Sequence, residues 1–194
     1  MSFEYLKADL VYITSNTMKH PINHSSGSYK RIRQDLVDLK KQNLKEVHAE
    51  PIEGDLLHLL AFVIGPVDTP YEGGIFRLDI QLQDYPHEPP VIRFKTEIYH
   101  PNIDKHGVIS LNILGSEWSP VLSLAKILLS ISALIATPFP EEPNNIEAAQ
   151  QYNINRWIFY QTAKNWTDVY AKSRDMQHEE LGLALATRIK PDVV

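Results

Sequence analysis

The chain has 194 residues, 43% of them hydrophobic and 22% charged, a formal net charge of −5 at pH 7, and no cysteine. That balance fits one soluble globular domain with residues to spare at its ends, and it excludes disulfides and thiolate metal sites. A negative net charge argues against a nucleic-acid partner, whose binding relies on clustered Lys and Arg, and no apolar run approaches the roughly 20 residues that span a bilayer.

The N-terminus, "MSFEYLKADLVYITSN", carries Glu4, Lys7 and Asp9 and has no clean apolar stretch, so it does not read as a secretory signal. Together with the absence of cysteine, this sets the expectation of a reducing compartment, cytoplasmic or nuclear. Residues 14–28 are polar and turn-rich, and residues 1–28 are read as a flexible arm. His20 and His24 stand four apart, but Pro21 lies between them and no third ligand is near, so no metal is expected there. From Tyr29 the pattern becomes helical. Tyr29, Ile32, Leu36 and Leu39 form an apolar stripe, Lys30, Arg31, Arg33 and Lys40 flank it, and Ser28 is the candidate N-cap.

Four strands follow, at 47–52, 56–64, 75–82 and 91–94. The third alternates cleanly, with Phe76, Leu78, Ile80 and Leu82 on one face and Arg77, Asp79 and Gln81 on the other. The links "GPVDTPYEGG" and "QDYPHEPP" are dense in Gly and Pro and too short for helical crossovers, so the strands form an antiparallel meander. Residues 96–120 then read as a long irregular loop, and a loop of that length in a compact domain is usually functional. Leu124, Ile127, Leu128, Ile131 and Leu134 mark a helix closed by Pro138. "FPEEPNN" is a turn, and Ile154, Ile158 and Trp166 suggest one further helix up to about Lys172. Leu181, Leu185 and Ile189 suggest a short amphipathic helix in the extension 173–194, weakened by Gly182. Helix, four strands, long loop and helices make an α+β domain.

The stretch from Tyr29 to Lys172 resembles the ubiquitin-conjugating enzyme family. It does so through "KRIRQDLVDL", "GPVDTPYEGGIF", "DYPHEPPVIRF", "IYHPNI", the "GVIS-LNIL" run, "WSPVLSLAKILLSI" and "PFPEEP", all in order. The resemblance implies a core domain at 29–172, an N-terminal helix, a four-stranded antiparallel sheet backed by helices, and an active site in the long loop. It implies ubiquitin or a ubiquitin-like modifier, an activating enzyme and a ligase as partners, and no cofactor. The family's nucleophile is a cysteine eight residues after the Asn of His-Pro-Asn; counting from Asn102 lands on Ser110.

That departure matters chemically. A thiol has a pKa of about 8.5 and leaves some thiolate near neutral pH, whereas a serine needs an adjacent base to attack. "GVISL" is not the Gly-x-Ser-x-Gly elbow of serine hydrolases. Thioester transfer is therefore expected to be absent. The serine reflects either a natural inactive member or a deliberate Cys-to-Ser exchange in an active one, and the other-class alternative is a non-catalytic scaffold that binds ubiquitin or a ligase.

The remaining site residues follow from the resemblance one at a time. Asn102 matches the family's oxyanion-stabilising Asn, or it holds the loop through backbone bonds. Glu142 stands where the family often has an acidic residue or a serine that gates the incoming lysine, or it is a solvated turn charge. Asn112 replaces the Asp of close relatives, which puts lysine positioning in doubt. His100 and Pro101 are expected to be architectural. Activating enzyme and ligase dock, in the family, on the first helix and two loops; here those are Lys30, Arg31 and Arg33, Pro86 and His87, and Ser119 and Pro120. His87 replaces the aromatic anchor of many ligase-binding members, and Leu59 replaces a Trp, read as a core change.

Overall fold

The structure, a computed structural model, describes residues 27–172. Helix α1 (Gly27–Gln42) turns Tyr29, Ile32, Asp35 and Leu39 inward, following the helical spacing of its apolar residues. It begins at Gly27, so Ser28 lies inside the helix rather than capping it.

Strands β1 (Val47–Ile52), β2 (Asp55–Ile64), β3 (Ile75–Gln81) and β4 (Val91–Phe94) pair antiparallel in chain order, the meander expected from the short Gly/Pro links. Their register puts Leu59 opposite Ile80, Ala61 opposite Leu78 and Val63 opposite Phe76, all buried on one face of the sheet. Leu59 is fully buried in that core. His58, Leu60, Phe62, Arg77 and Asp79 fall on the opposite face by the two-residue period.

Helix α2 (Leu124–Ala136) is capped by the Ser123 side chain, which accepts from Lys126 N. It buries Leu124, Ile127, Leu128, Ile131 and Ile135, and together with α1 it packs on the core face of the sheet. Closing the helix before Pro138 follows from the missing N–H and the ring clash of proline.

The last part differs from the single helix expected up to Lys172. Two helices stand there, α3 (Ile146–Ile154) and α4 (Arg156–Trp166), followed by a π-helical turn at Thr167–Ala171. Asn155 separates them. Its N–H closes α3 by donating to Gln151 O, and its side-chain oxygen caps α4 by accepting from Ile158 N. Ile154 and Ile158, which suggest the helix in the sequence, are 84% and 43% exposed. The buried side is made of Ala148, Ala149, Phe159, Ala163, Thr167 and Ala171. Trp166 does pack against the core, half-buried.

The segment 96–120 is more ordered than a bare loop. Isolated bridges join Arg93 to Val108, His100 to Ile103 and Ile103 to Ile109, and a single 3-10 turn covers Asn112–Leu114. The His20/His24 pair, the arm and the amphipathic pattern after residue 172 lie outside the described residues. No helix among the described residues is long and apolar enough to cross a membrane.

Candidate active site and docking surface

The loop around Ser110 is built from a tight turn laid against β4. Asp104 Oδ1 accepts from the N–H groups of His106 and Val108, both at 2.8 Å, and Gly107 N donates to Asp104 O at 3.0 Å. Gly107 has φ +75, and a Cβ there would lie 2.1 Å from Phe94 O. Only glycine suits both the left-handed backbone and the close approach. Phe94 N then donates to Gly107 O at 2.9 Å, so the turn extends the sheet edge and delivers Ser110 at a fixed place.

Ser110 is half-buried, and its N–H donates to Asn102 O at 2.8 Å. Among the described residues its hydroxyl has no hydrogen-bond partner. His100 does not serve as its base. Its Nδ1 accepts from Asn102 N at 3.0 Å, which leaves Nε2 to donate to Leu134 O at 3.0 Å. Burial pushes its pKa down to about 4, opposed in part by the Leu134 carbonyl, so the ring is neutral at pH 7 and both nitrogens are engaged. His106 is exposed at the tip of the turn.

Asn102 is buried at 1% exposure and spends its whole amide on the 139–142 segment. Nδ2 donates to Phe139 O at 2.6 Å and to Glu142 O at 3.2 Å, and Oδ1 accepts from Phe139 N at 2.8 Å. Pro101 contributes through its carbonyl, which accepts from Asn144 N and Asn145 N, and Asn144 Nδ2 donates to Val108 O. The His-Pro-Asn turn is thus a clamp that holds the Ser110 strand and the 139–145 loop together. The carboxylate of Glu142 stands exposed on that loop. Asn112 is exposed at the start of the 3-10 turn, with a long 3.4 Å contact to Glu117 Oε1. Phe139 and Asn144 were missed in the sequence. Both lie in the stretch "FPEEPNN", but nothing in it marks them as bonding partners, and only the fold brings them to Asn102 and Val108.

The three segments that the resemblance marks for docking also meet, and Arg31 is what joins them. Its Nε donates to both Asp35 oxygens at 3.1 Å, Nη1 to Pro120 O at 2.7 Å, and Nη2 to Leu122 O at 2.9 Å and Tyr85 OH at 3.2 Å. Tyr85 OH in turn donates to Asp35, and burial and that carboxylate raise the tyrosine's pKa. Trp118 Nε1 donates to Pro86 O at 3.1 Å, and its ring lies 5.8 Å from that of Tyr85. Arg31 is therefore largely internal wiring, unlike Lys30 and Arg33, which are exposed. His87 and Pro120 are exposed, while Pro86 and Ser119 are half-buried. The signal for Asp35 was present in the sequence: it lies four residues after Arg31 and on the buried stripe of α1. Among the described residues no group of three or more His, Asp or Glu side chains could hold a metal ion.

A helix before a four-stranded antiparallel meander, a clamped His-Pro-Asn loop and C-terminal helices define a ubiquitin-conjugating fold, and the chain belongs to the ubiquitin-conjugating enzyme family, whose sequence model matches residues 31–167. Among solved structures it is similar to the E2 domain of a Toxoplasma gondii ubiquitin conjugating enzyme. The identity is 43% and the TM-score 0.69, over 74% of this chain and 99% of that one. A protein from Plasmodium yoelii, assigned as a ubiquitin conjugating enzyme, is 40% identical with a TM-score of 0.73, over 77% of this chain and 98% of that one.

Proposed function

We propose that this protein works in the ubiquitin pathway without forming a thioester, because the nucleophile position is Ser110 and no base accompanies it. The observation that carries this reading is that the hydroxyl has no partner among the described residues, while both nitrogens of His100 are already engaged. Atom by atom, attack by Ser110 Oγ on an activated carbonyl requires its proton to leave for a base, and neither His100 nor any other described group stands ready to take it. The rest of the site is retained. The clamp through Asn102 and the exposed Glu142 keep the form of an acyl-transfer centre, while the saturated Asn102 amide serves the loop first. In this reading the modifier is ubiquitin or a relative, and activating enzyme and ligase approach the α1 face with the 84–88 and 118–122 loops. The core 29–172 is the working unit.

A charging reaction with activating enzyme, ATP and ubiquitin tests it, with products compared on reducing and non-reducing gels. The expected result is no reductant-sensitive adduct and at most a slow, reductant-resistant, hydroxylamine-sensitive ester on Ser110. A rapid adduct removed by dithiothreitol would overturn the assignment.

The second reading, a binding scaffold, is favoured by one feature of the docking face. Val121, between Pro120 and Leu122 whose carbonyls accept from Arg31, is 76% exposed, an apolar knob presented to solvent. A chain that forms no thioester can still occupy a ligase through that face.

A further inference from the structure

Between the β2–β3 link, the end of α2 and the helices α3 and α4 lies a cavity of about 270 Å³. Neither Ser110 nor any member of the Arg31 network lines it. Its floor is apolar, made by Tyr71, Ile135 and Phe159, all buried. The Tyr71 hydroxyl is engaged elsewhere, donating to Tyr99 O at 2.7 Å. Two charged residues, Arg156 and Asp68, also line the cavity. Both are exposed, and neither side chain has an ion pair or hydrogen bond among the described residues. Arg156 is held in place all the same. Its Cζ stands 3.5 Å from the centre of the Tyr152 ring, and that ring meets Phe159 edge-on at 5.0 Å. Stacking occupies a flat face of the guanidinium and leaves its in-plane N–H fork free for a carboxylate. Asp68 sits at φ +60 and its N–H donates to Glu72 Oε2 at 3.0 Å, so its backbone is fixed while its carboxylate stays free.

We propose that this cavity binds the C-terminal residue of a partner's polypeptide chain, one that ends in a large apolar side chain. The chemistry of the lining defines that ligand. The free fork of Arg156 takes a carboxylate in bidentate fashion. The free carboxylate of Asp68 repels a second negative charge and accepts an N–H. The apolar floor takes a hydrocarbon or aromatic group. A chain end carries these three groups, carboxylate, N–H and side chain, on one carbon. A phosphate-bearing ligand, with up to two charges, is disfavoured by Asp68, and a cation is disfavoured by Arg156. The volume points the same way. It falls below the roughly 300–1,000 Å³ that encloses a whole small molecule, so it suits one side chain of a larger partner. Pro138 also lines the cavity and directly precedes Phe139, whose backbone grips the Asn102 amide, so a bound chain end lies one residue from the clamp. The site is independent of the chemistry at Ser110.

The probe is the peptide acetyl-Ala-Phe, titrated into the full, isotope-labelled chain while amide shifts are followed by NMR. The expected result is saturable shifts at Tyr71, Ala136 and Phe159 with a Kd of about 1 mM, as suits a ligand of that size. Three related peptides each lack one group: the C-terminal amide lacks the carboxylate, acetyl-Ala-Gly the side chain, and the N-methyl-Phe form the N–H. Each is expected to bind the unsubstituted chain weaker by about fivefold or more. Arg156→Gln should weaken acetyl-Ala-Phe by a similar factor and leave its amide unchanged. No saturable shift up to about 10 mM, ten times the Kd expected at this ligand size, would overturn the proposal. So would shifts confined to the 118–122 loop, or equal affinity for any one of the three related peptides. Tighter binding of free phenylalanine than of the peptide would make this an amino-acid site and overturn it as well. The peptide series needs no substituted protein, so its outcome stands even if Arg156→Gln fails to fold.

Discussion

At Ser110 the proposed reading puts a hydroxyl where the family's thiol would stand, in a loop held by Asn102 O and the Gly107 turn. Ser110→Cys adds a more acidic nucleophile at a backbone position already fixed by Asn102 O and the Gly107 turn. It is expected to yield a reductant-sensitive ubiquitin adduct in the charging reaction. A folded variant that fails to charge would place the defect in activating-enzyme docking. Adding Asn112→Asp is expected to speed discharge to free lysine more than charging, because Asn112 is exposed two residues past Ser110 and makes only a long contact to Glu117. His100 sets a different residue-scale expectation. Its folded pKa of about 4 lies below the ordinary value of 6.5, so the unfolded chain binds more protons between those values. Stability from this group is complete above about pH 6.5 and is lost as pH falls towards 4, by at most about 3 kcal/mol. Denaturant midpoints measured from pH 7 to 4.5 should fall accordingly, and His100→Gln should flatten that part of the profile while costing stability at pH 7.

At the scale of elements, the turn at Gly107 and the break at Asn155 carry the arrangement. Gly107→Ala meets Phe94 O at a distance no Cβ tolerates and at a left-handed φ, so the loop must part from β4. A loss of about 3 kcal/mol or more is expected, with a lower thermal midpoint and, in the Ser110→Cys background, slower charging. Asn155→Ala removes only a cap and is expected to cost about 1 kcal/mol. The contrast with what the sequence shows is instructive at these same places. The strands were legible to within one residue because period-two alternation survives in β3 and the Gly/Pro links punctuate the rest. The α3–α4 pair was not, because its buried face is made of Ala148, Ala149, Ala163 and Ala171, whereas its largest aliphatic residues point outward. A hydrophobicity pattern there selects the wrong face. The His-Pro-Asn clamp was legible only as a resemblance, since Phe139 lies 37 residues from Asn102 and Asn144 lies 36 residues from the Val108 carbonyl it binds.

Over the whole molecule, burial divides the basic residues of α1 into an internal one, Arg31, and two exposed ones, Lys30 and Arg33. Arg31 binds Asp35, Tyr85, Pro120 and Leu122, so it fastens α1 to both neighbouring loops. Removing it strands a carboxylate that is only 6% exposed. Arg31→Ala is expected to cost about 2–3 kcal/mol, below the cost of breaking a fully buried pair because the guanidinium is partly solvated. Any loss of partner binding in that variant is then confounded with a loosened surface. Lys30 and Arg33 are exposed, so Lys30→Glu/Arg33→Glu should leave the thermal midpoint within about a degree or two. If this face meets an acidic partner surface, the same double reversal slows association, and the effect shrinks as salt rises. His87→Phe acts in the opposite direction. An exposed His on the 84–88 loop becomes an aromatic that can bury some tens of Å² more apolar area, about 1 kcal/mol or fivefold in affinity at 25 cal/mol per Å². Titrating a labelled RING-type ligase domain against the unsubstituted chain, Lys30→Glu/Arg33→Glu and His87→Phe should give weak, weaker and stronger binding in that order. Identical affinities for all three would mean that ligases do not use this face, whatever the state of Ser110.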